Sequence, residues 1–566
     1  MSGVAEAPLA GGPTPSPRRR PAINFWSLVT IGAVLLFVAL LIYPLARLFI
    51  SSMMSSSSSG ATALDAYVDF FTKRYYYETL INSVTVGIFA TIGATALGVP
   101  VAYMVTRFNI PGKLLIRAFI VLTFVSPPFI GAYAWILLLG RNGVITNFLA
   151  DLGIKSPTIY GWGGIILVFI LQGFPFVFLM VSAGLKSVDQ SIEDAALNLG
   201  RKPLNVIMTA ILPLIIPSIS TGALLVFVTS FADFGTPMII GEGYRVMASV
   251  IYTEFVNEHG GNPRVASSLS LILLVVTVGA LFLQRWYARR RSFGQETVKP
   301  LMNRKLSGGK LVGATAFVYA VVLGAGLPLM AIVFSSFLKS RGPLLTGEFT
   351  LEGYTSAIRL PTALFNTLFF STIATLLCVL AGCLVGYVVT RRRDRLAGLL
   401  DAFSMVPFAV AGVVIGIAVS VSYGGAPFYL GGTIIILLMV YFLRRLPYSI
   451  RSISGMLSQI GTHTEEASIN LGVPPGRTFW RITVPMISPA ILSGALLTWA
   501  TVAKEFNSTV ILYGGSTRTL PVEVFGYVLQ GNFGAASVVG TVLIVVSLIP
   551  IVLLFKFLGK DEEFLA

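Results

Sequence analysis

The chain has 566 residues, 55% of them hydrophobic and only 11% charged, with a mean hydropathy of +0.83. A soluble domain carries about 25% charged residues, so the composition excludes a water-soluble enzyme and places the chain in a lipid bilayer. A net charge of +16 does not imply nucleic acid as a partner, because most cations stand in short clusters between apolar runs, where they set orientation and meet anionic lipid.

Residues 1–23 are rich in Pro, Gly, Ala and Ser and include Arg18, Arg19 and Arg20. They read as a disordered cytoplasmic tail. A signal peptide is the alternative, but the apolar run that follows is too long and no small-residue cleavage site follows it. A spanning helix needs about 20 apolar residues. On that rule the first set of spans is Phe25–Ile50, Asn82–Thr106, Leu115–Gly140, Gly161–Leu185, Pro213–Ile240 and Val265–Tyr287. A basic linker, residues 289–310, contains Arg289, Arg290, Arg291, Lys299, Arg304, Lys305 and Lys310. The second set is Leu311–Phe337, Asn366–Thr390, Gly398–Tyr423, Gly432–Met456, Pro485–Tyr513 and Ala535–Phe557. The expected fold is therefore an all-α integral membrane protein with about 12 transmembrane helices, divided into repeats at 24–288 and 311–566.

The two sets are copies of one unit. Gly200 pairs with Gly472, Pro213 with Pro485, Pro217 with Pro489 and Gly222 with Gly494, all at one offset of 272 positions. Pro44, Ser51, Ser52, Asn82, Tyr103, Thr106 and Arg107 pair with Pro328, Ser335, Ser336, Asn366, Tyr387, Thr390 and Arg391 at an offset of 284. A net loss of 12 residues in the second copy, near its third span, reconciles the two offsets. Six spans per unit is even, so the repeats are parallel about an axis along the membrane normal. Cations at Arg107, Lys186, Arg201, Arg285–Lys310, Arg391–Arg393 and Arg477 share one side. By the positive-inside rule that side, with both termini, is cytoplasmic.

Between the fourth and fifth spans the chain writes one pattern twice: Glu193, Asp194, Ala195, Ala196, Gly200 and Pro213, then Glu465, Glu466, Ala467, Ser468, Gly472 and Pro485. A short polar helix with small residues stops at Asn-Leu-Gly, and Gly suits a left-handed helix end. Ser191 with Asp194, and Thr462 with Glu465, have the spacing of capping boxes at the helix starts.

This repeated stretch resembles the EAA loop of permease subunits of binding-protein-dependent ABC importers. The family pattern is Glu-Ala-Ala, three residues, Gly, nine residues, Ile-x-Leu-Pro. The second copy fits it through Glu466, Ala467, Ser468, Gly472, Ile482, Val484 and Pro485; the first departs with Asp194 for Glu and Ala210 for Ile. The resemblance implies a type I importer permease fold in the bacterial inner membrane. It also implies two copies of a separate cytoplasmic ATPase, one on each loop, and a periplasmic solute-binding protein that delivers cargo. The fused layout and the run Phe231–Gly241 resemble ferric-iron importer permeases. Thiamine, polyamine and aminoethylphosphonate importers share the architecture and stay open as alternatives.

Missing chemistry agrees with a transport subunit. No Walker A pattern is present, and Leu306–Lys310 (LSGGK) lies in the linker with no nucleotide domain around it. His259 and His463 fall on opposite sides of the membrane, and Cys378 and Cys383 read as packing residues. No cofactor or catalytic residue is expected in this chain, and no firm metal site. Intramembrane charges are functional candidates by default. Here they are Asp233 and Glu505, equivalent in the repeats and each followed by Phe, with Lys504 beside the second, and Arg444 and Arg445, which stand inside a fourth span or, if that span is shorter, at its cytoplasmic boundary. Counting along the helix from Pro213 and Pro485 puts both carboxylates near the outer face, either flanking the cargo entrance beneath the docked binding protein or snorkelling to water with Lys504 neutralising Glu505. An ion-coupled secondary transporter is the reading from another class. It would need coupling carboxylates near mid-membrane, and the doubled loop argues against it.

Overall fold

In a bilayer core no water satisfies the backbone, so each long apolar run bonds internally as a helix. The computed structural model describes residues 25–54, 64–256, 261–290, 304–342, 344–392 and 394–558. The N-terminal tail with Arg18–Arg20, most of the basic linker, His259 and the C-terminus fall outside these. Among the described residues nine helices are long and apolar enough to cross a membrane, eleven when each of two bent pairs counts as one span. The helix Ile434–Gln459 is as long but carries Arg444, Arg445 and Arg451. Among the described residues the fold is all-α apart from one small hairpin, in which Leu338–Arg341 pairs antiparallel with Leu344–Phe349.

The first span of each repeat packs on the other repeat. Trp26 stacks on Tyr387 with ring centroids 4.1 Å apart, and the Tyr423 hydroxyl donates to the carbonyl of Ala39 at 2.8 Å. In the other direction, Val318, Val322 and Ala325 of Gly309–Ser335 share a core with Val101, Phe174 and Val181. The repeats found in the sequence are therefore interlocked in space.

The paired positions have matching structural duties. Ser52 and Ser336 each meet a tyrosine hydroxyl at 2.8 Å, those of Tyr67 and Tyr354. Asn82 donates to the carbonyl of Arg245, and Asn366 to those of Ser516 and Arg518. The neighbouring Ser83 and Thr367 hydroxyls accept from the backbone N–H groups of Met247 and Leu520. These bonds tether, in each repeat, a short apolar helix: Met247–Val256 and Leu520–Leu529.

Several spans differ from the even count expected. The third span of the first repeat is two helices, Lys113–Val125 and Pro128–Leu139; its partner is bent between Arg395–Ala409 and Gly412–Tyr423. Proline at Pro127 and Pro128 accounts for the first break. The fifth spans do not run to Ile240 and Tyr513. They stop at Ala232 and Ala503 and resume as the short helices Gly235–Ile240 and Thr509–Leu512. Before Pro213 and Pro485 the helix widens to a π-turn in both repeats, Ile207–Ile211 and Phe479–Thr483. A proline lacks the N–H for the usual ladder and crowds the carbonyl one turn back, and the wider turn relieves both.

Candidate functional site

Two constructions bring the sequence candidates together: the pair of loops at one end of the bundle, and a cavity between the repeats.

The loop helices are Gln190–Asn198 and His463–Asn470. Each ends as its sequence implies. Gly200 and Gly472 hold φ of +79° and +86°. The N–H of Gly200 bonds Leu197 and that of Arg201 bonds Ala196; Gly472 and Val473 repeat this with Ile469 and Ser468. That is the Schellman pattern, which satisfies the last carbonyls of a helix. It leaves Leu199 and Leu471 at the tips, 82% and 85% exposed. Asp194, Ala195, Glu466 and Ala467 are also exposed, whereas Ser468 is buried and shares a hydrogen bond with Thr478 at 2.9 Å.

The helix starts differ from the expected capping boxes. Asp189 caps the first, accepting from the Ser191 N–H at 2.8 Å, and Asp194 instead takes a bond from Gln190. Thr462 makes no side-chain cap, and Glu465 turns inward. The chain reaches the first helix extended at Asp189, one turn position too early for Ser191 to act as cap.

Inward-facing glutamates anchor both loops. Glu193 is buried and ion-paired with the equally buried Arg107 at the end of the second span, and Arg304 reaches its other oxygen at 2.9 Å. Glu465 pairs with Arg391 at 3.2 Å and accepts from the Tyr387 hydroxyl at 2.9 Å. The sequence shows Arg107 with Arg391 and Tyr103 with Tyr387 as repeat pairs; their partners lie 86 and 74 residues away and are fixed only by the fold. Arg304 corresponds at the offset of 284 to Arg20, which lies outside the described residues. The Arg304 N–H bonds the carbonyl of Arg107, so the segment entering the second repeat is fastened to the first loop. Removing one partner of a buried pair strands a charge, which makes such an anchor rigid.

The cavity lies between the repeats and is lined by Asp233, Arg444, Arg445 and Glu505, the four pathway candidates. Neither carboxylate lies near the outer face as the helix count predicted. Both are buried, at 4% and 5% exposure, and share the cavity with Gln172 and Arg444, which stand near the midpoints of Trp162–Lys186 and Ile434–Gln459. The count took Pro213 and Pro485 as the membrane edge, whereas the helical path into each fifth span starts earlier, at Pro203 and Pro475; the spans end at the carboxylates and the chain continues as the short helices. Asp233 accepts the Thr236 N–H at 3.0 Å; Glu505 accepts the Ser508 hydroxyl at 2.9 Å and its N–H at 3.3 Å. A carboxylate at each break satisfies donors that no water could reach.

Arg444 and Arg445 both ion-pair with Glu505. Lys504, expected from the sequence to neutralise Glu505, makes no ion pair with it; its Nζ donates to the carbonyl of Phe124 in the first repeat at 2.7 Å. Both arginines are therefore inside the bundle and not at a boundary. Gly412, at the bend of a third span, is needed there: a Cβ would come within 2.7 Å of Asn507 and 2.8 Å of Arg444.

An aromatic cluster closes one side of the cavity. Phe234 and Phe506, each following its carboxylate, stack with centroids 5.1 Å apart. Phe129 lies 4.3 Å from Phe506 and Phe525 4.9 Å from it. Phe129 and Phe525 carry no sign in the sequence, whereas the repeated carboxylate–Phe dipeptide marks the other two. Among the described residues no group of three or more His, Cys, Asp or Glu side chains could hold a metal ion.

A sequence profile for the family described as binding-protein-dependent transport system inner membrane component matches residues 94–293 and again residues 378–561. The chain is 28% identical over 551 residues to the ferric transport system permease protein FbpB of Actinobacillus pleuropneumoniae, covering 94% of this chain and 78% of that one. It is 25% identical over 551 residues to the Fe(3+)-transport system permease protein FbpB 2 of Haemophilus influenzae, covering 96% and 100%. A shorter relative is the putative 2-aminoethylphosphonate transport system permease protein PhnU of Salmonella typhimurium, 27% identical over 280 residues, or 48% of this chain and 96% of that one.

Proposed function

The chain belongs to the family of inner membrane components of binding-protein-dependent transport systems, and from that premise we propose that it forms the whole membrane pathway of an ATP-driven ferric-iron importer. The family profile occurs twice in the chain, so one polypeptide supplies what two permease subunits would otherwise supply. This sets aside the ion-coupled secondary transporter. Ferric iron rests on the two relatives that span most of the chain.

The observation that carries the coupling is the pair of loops. Each offers an exposed leucine at a Schellman turn and an inward glutamate tied to the second span. An isolated, fully exposed leucine at the tip of a rigid knob suits insertion into a cleft on a partner. Two equivalent knobs suit two copies of one ATPase, on the cytoplasmic side. Closure of the ATPase pair would move the knobs, and the buried ion pairs would pass that motion to the second spans. The bundles then rock about the cavity, the rigid-body form of alternating access. A periplasmic binding protein would deliver cargo over the aromatic cluster, which is closed in this conformation.

The test is reconstitution with the ATPase and binding protein. Radiolabelled ferric iron should enter liposomes only with ATP, and two ATPase copies should co-purify per chain. Leu199→Asp with Leu471→Asp should abolish ATPase co-purification while the protein still inserts. Unchanged co-purification would overturn the assignment of the knobs. A second reading is favoured by the cations in the cavity: an anionic cargo such as a phosphonate, carried by the same machinery.

A further inference from the structure

The cavity has two unlike walls. All three of its cations, Arg444, Arg445 and Lys504, come from the second repeat; the equivalent positions of the first are Gln172, Gly173 and Ala232. Glu505 is engaged by both arginines and by Ser508. Asp233 belongs to the first repeat, makes no ion pair among the described residues, and accepts the Thr236 N–H. With Asp233 and Glu505 against three cations, the formal balance of these groups is one positive charge. The Nε atoms of Arg444 and Arg445 are buried and make no hydrogen bond.

A bare ferric ion fits this chamber poorly. A hard cation prefers oxygen ligands, and the single carboxylate not held by an ion pair is Asp233. A trivalent charge would also face a net positive surround at low dielectric, where repulsion is strong. A small oxyanion fits the second wall well, because guanidinium groups bind carboxylate and phosphate through planar, charge-assisted hydrogen bonds.

We propose that the cavity passes iron as a complex capped by a small oxyanion, with the anion toward Arg444, Arg445 and Lys504 and the metal toward Asp233. This rests on the ferric-iron reading above and specifies the form in which the cargo crosses. The oxyanion is a phosphate or a carboxylate, which share the recognising chemistry.

The experiment uses the complete complex in proteoliposomes, with ferric iron and one anion both radiolabelled. Separate arms supply inorganic phosphate, citrate or bicarbonate. One anion should accumulate with iron at a fixed ratio, dependent on ATP and on iron. Iron accumulating with none of the three labels overturns the proposal but leaves the importer reading intact; no iron transport in any arm refutes that reading itself. In parallel, Lys504→Glu should lower iron transport at least tenfold, and further than Lys504→Met does, since both lose the bond to Phe124 and only one adds negative charge. A bare cation would be helped by the added carboxylate, so Lys504→Glu above Lys504→Met overturns the proposal as well. Should Lys504→Glu fail to insert, the double-label ratio in the unaltered complex decides.

Discussion

The left-handed glycines at the two knobs give a test in which backbone strain is separable from side-chain contact. At Gly200 and Gly472 an added Cβ would meet nothing within 4 Å. A substitution there clashes with no neighbour, and its cost is that of holding φ at +79° or +86°. That cost is about 1 to 3 kcal/mol for a residue other than glycine. Asn should fall at the low end because it bonds locally in this region, and Val at the high end because it is β-branched. A change of one to two kcal/mol is roughly a 5- to 30-fold change in population. The knob would lose the two hydrogen bonds that close each helix, and the leucine at its tip would be re-aimed. The two loops share no partners, so a double substitution should add the two costs. The assay is ATP hydrolysis stimulated by the loaded binding protein, at matched membrane levels. Activity should fall in the order Asn, Ala, Val at either site, and Gly200→Val with Gly472→Val should be near background. Val performing as well as Asn, or all three equally inactive, would refute backbone strain as the cause.

Other consequences follow from the buried charges and the expected orientation. Arg107→Met should destabilise the protein, though by less than the about 3 to 5 kcal/mol of a fully stranded buried charge, because Arg304 still reaches Glu193, and Arg107→Met with Glu193→Met should recover most of it; thermal unfolding in detergent reads both. Arg304→Ala should cost under about 1 kcal/mol, because its side chain is 37% exposed and solvent screens the pair. Glu505→Gln should lower the amount of inserted protein, since two buried guanidinium groups lose their carboxylate. Asp233→Asn keeps an acceptor for the Thr236 N–H and should lower iron transport with protein level unchanged. For topology, Arg201→Cys and Ser307→Cys, on a background lacking Cys378 and Cys383, should be shielded in intact cells from a thiol reagent that cannot cross membranes. Thr346→Cys should react, and external labelling at position 307 would overturn the orientation.

What the sequence made legible is local or periodic. Helix lengths follow from apolar runs, the repeat from constant offsets, and the left-handed knob ends from Asn-Leu-Gly, since only glycine holds that φ without strain. Depth was misread because the count took Pro213 and Pro485 as the membrane edge, which neither proline marks: the helical path starts earlier, at Pro203 and Pro475. Asp233 and Glu505 stand where the fifth spans end, each accepting a backbone N–H three residues on. Ion-pair partners were illegible for another reason: Arg107 meets Glu193 across two intervening spans. The contacts of Arg304 and Trp26 were illegible for the same reason: each fastens the segment entering a first span to the opposite repeat, one by charge and one by stacking on Tyr387.

Where the two repeats agree and where they part follows from what each part must do. The knobs, their glycines, their anchoring glutamates and the arginines beneath them occur in both copies, as do the carboxylate–Phe breaks. A symmetric ATPase pair pushing on both knobs at once requires matched levers, because a stiffer one would tilt the bundles unequally. On the importer reading the cavity would take its cargo between the two repeats, so nothing demands that its walls match. Fusion into one polypeptide removes the remaining constraint: a substitution in one wall no longer appears in the other, as it would in a permease built from two copies of one chain. Gln172 and Gly173 opposite Arg444 and Arg445 are that freedom in use. An asymmetric pair of walls is what a metal–anion complex, itself polar from end to end, requires in order to cross in one orientation.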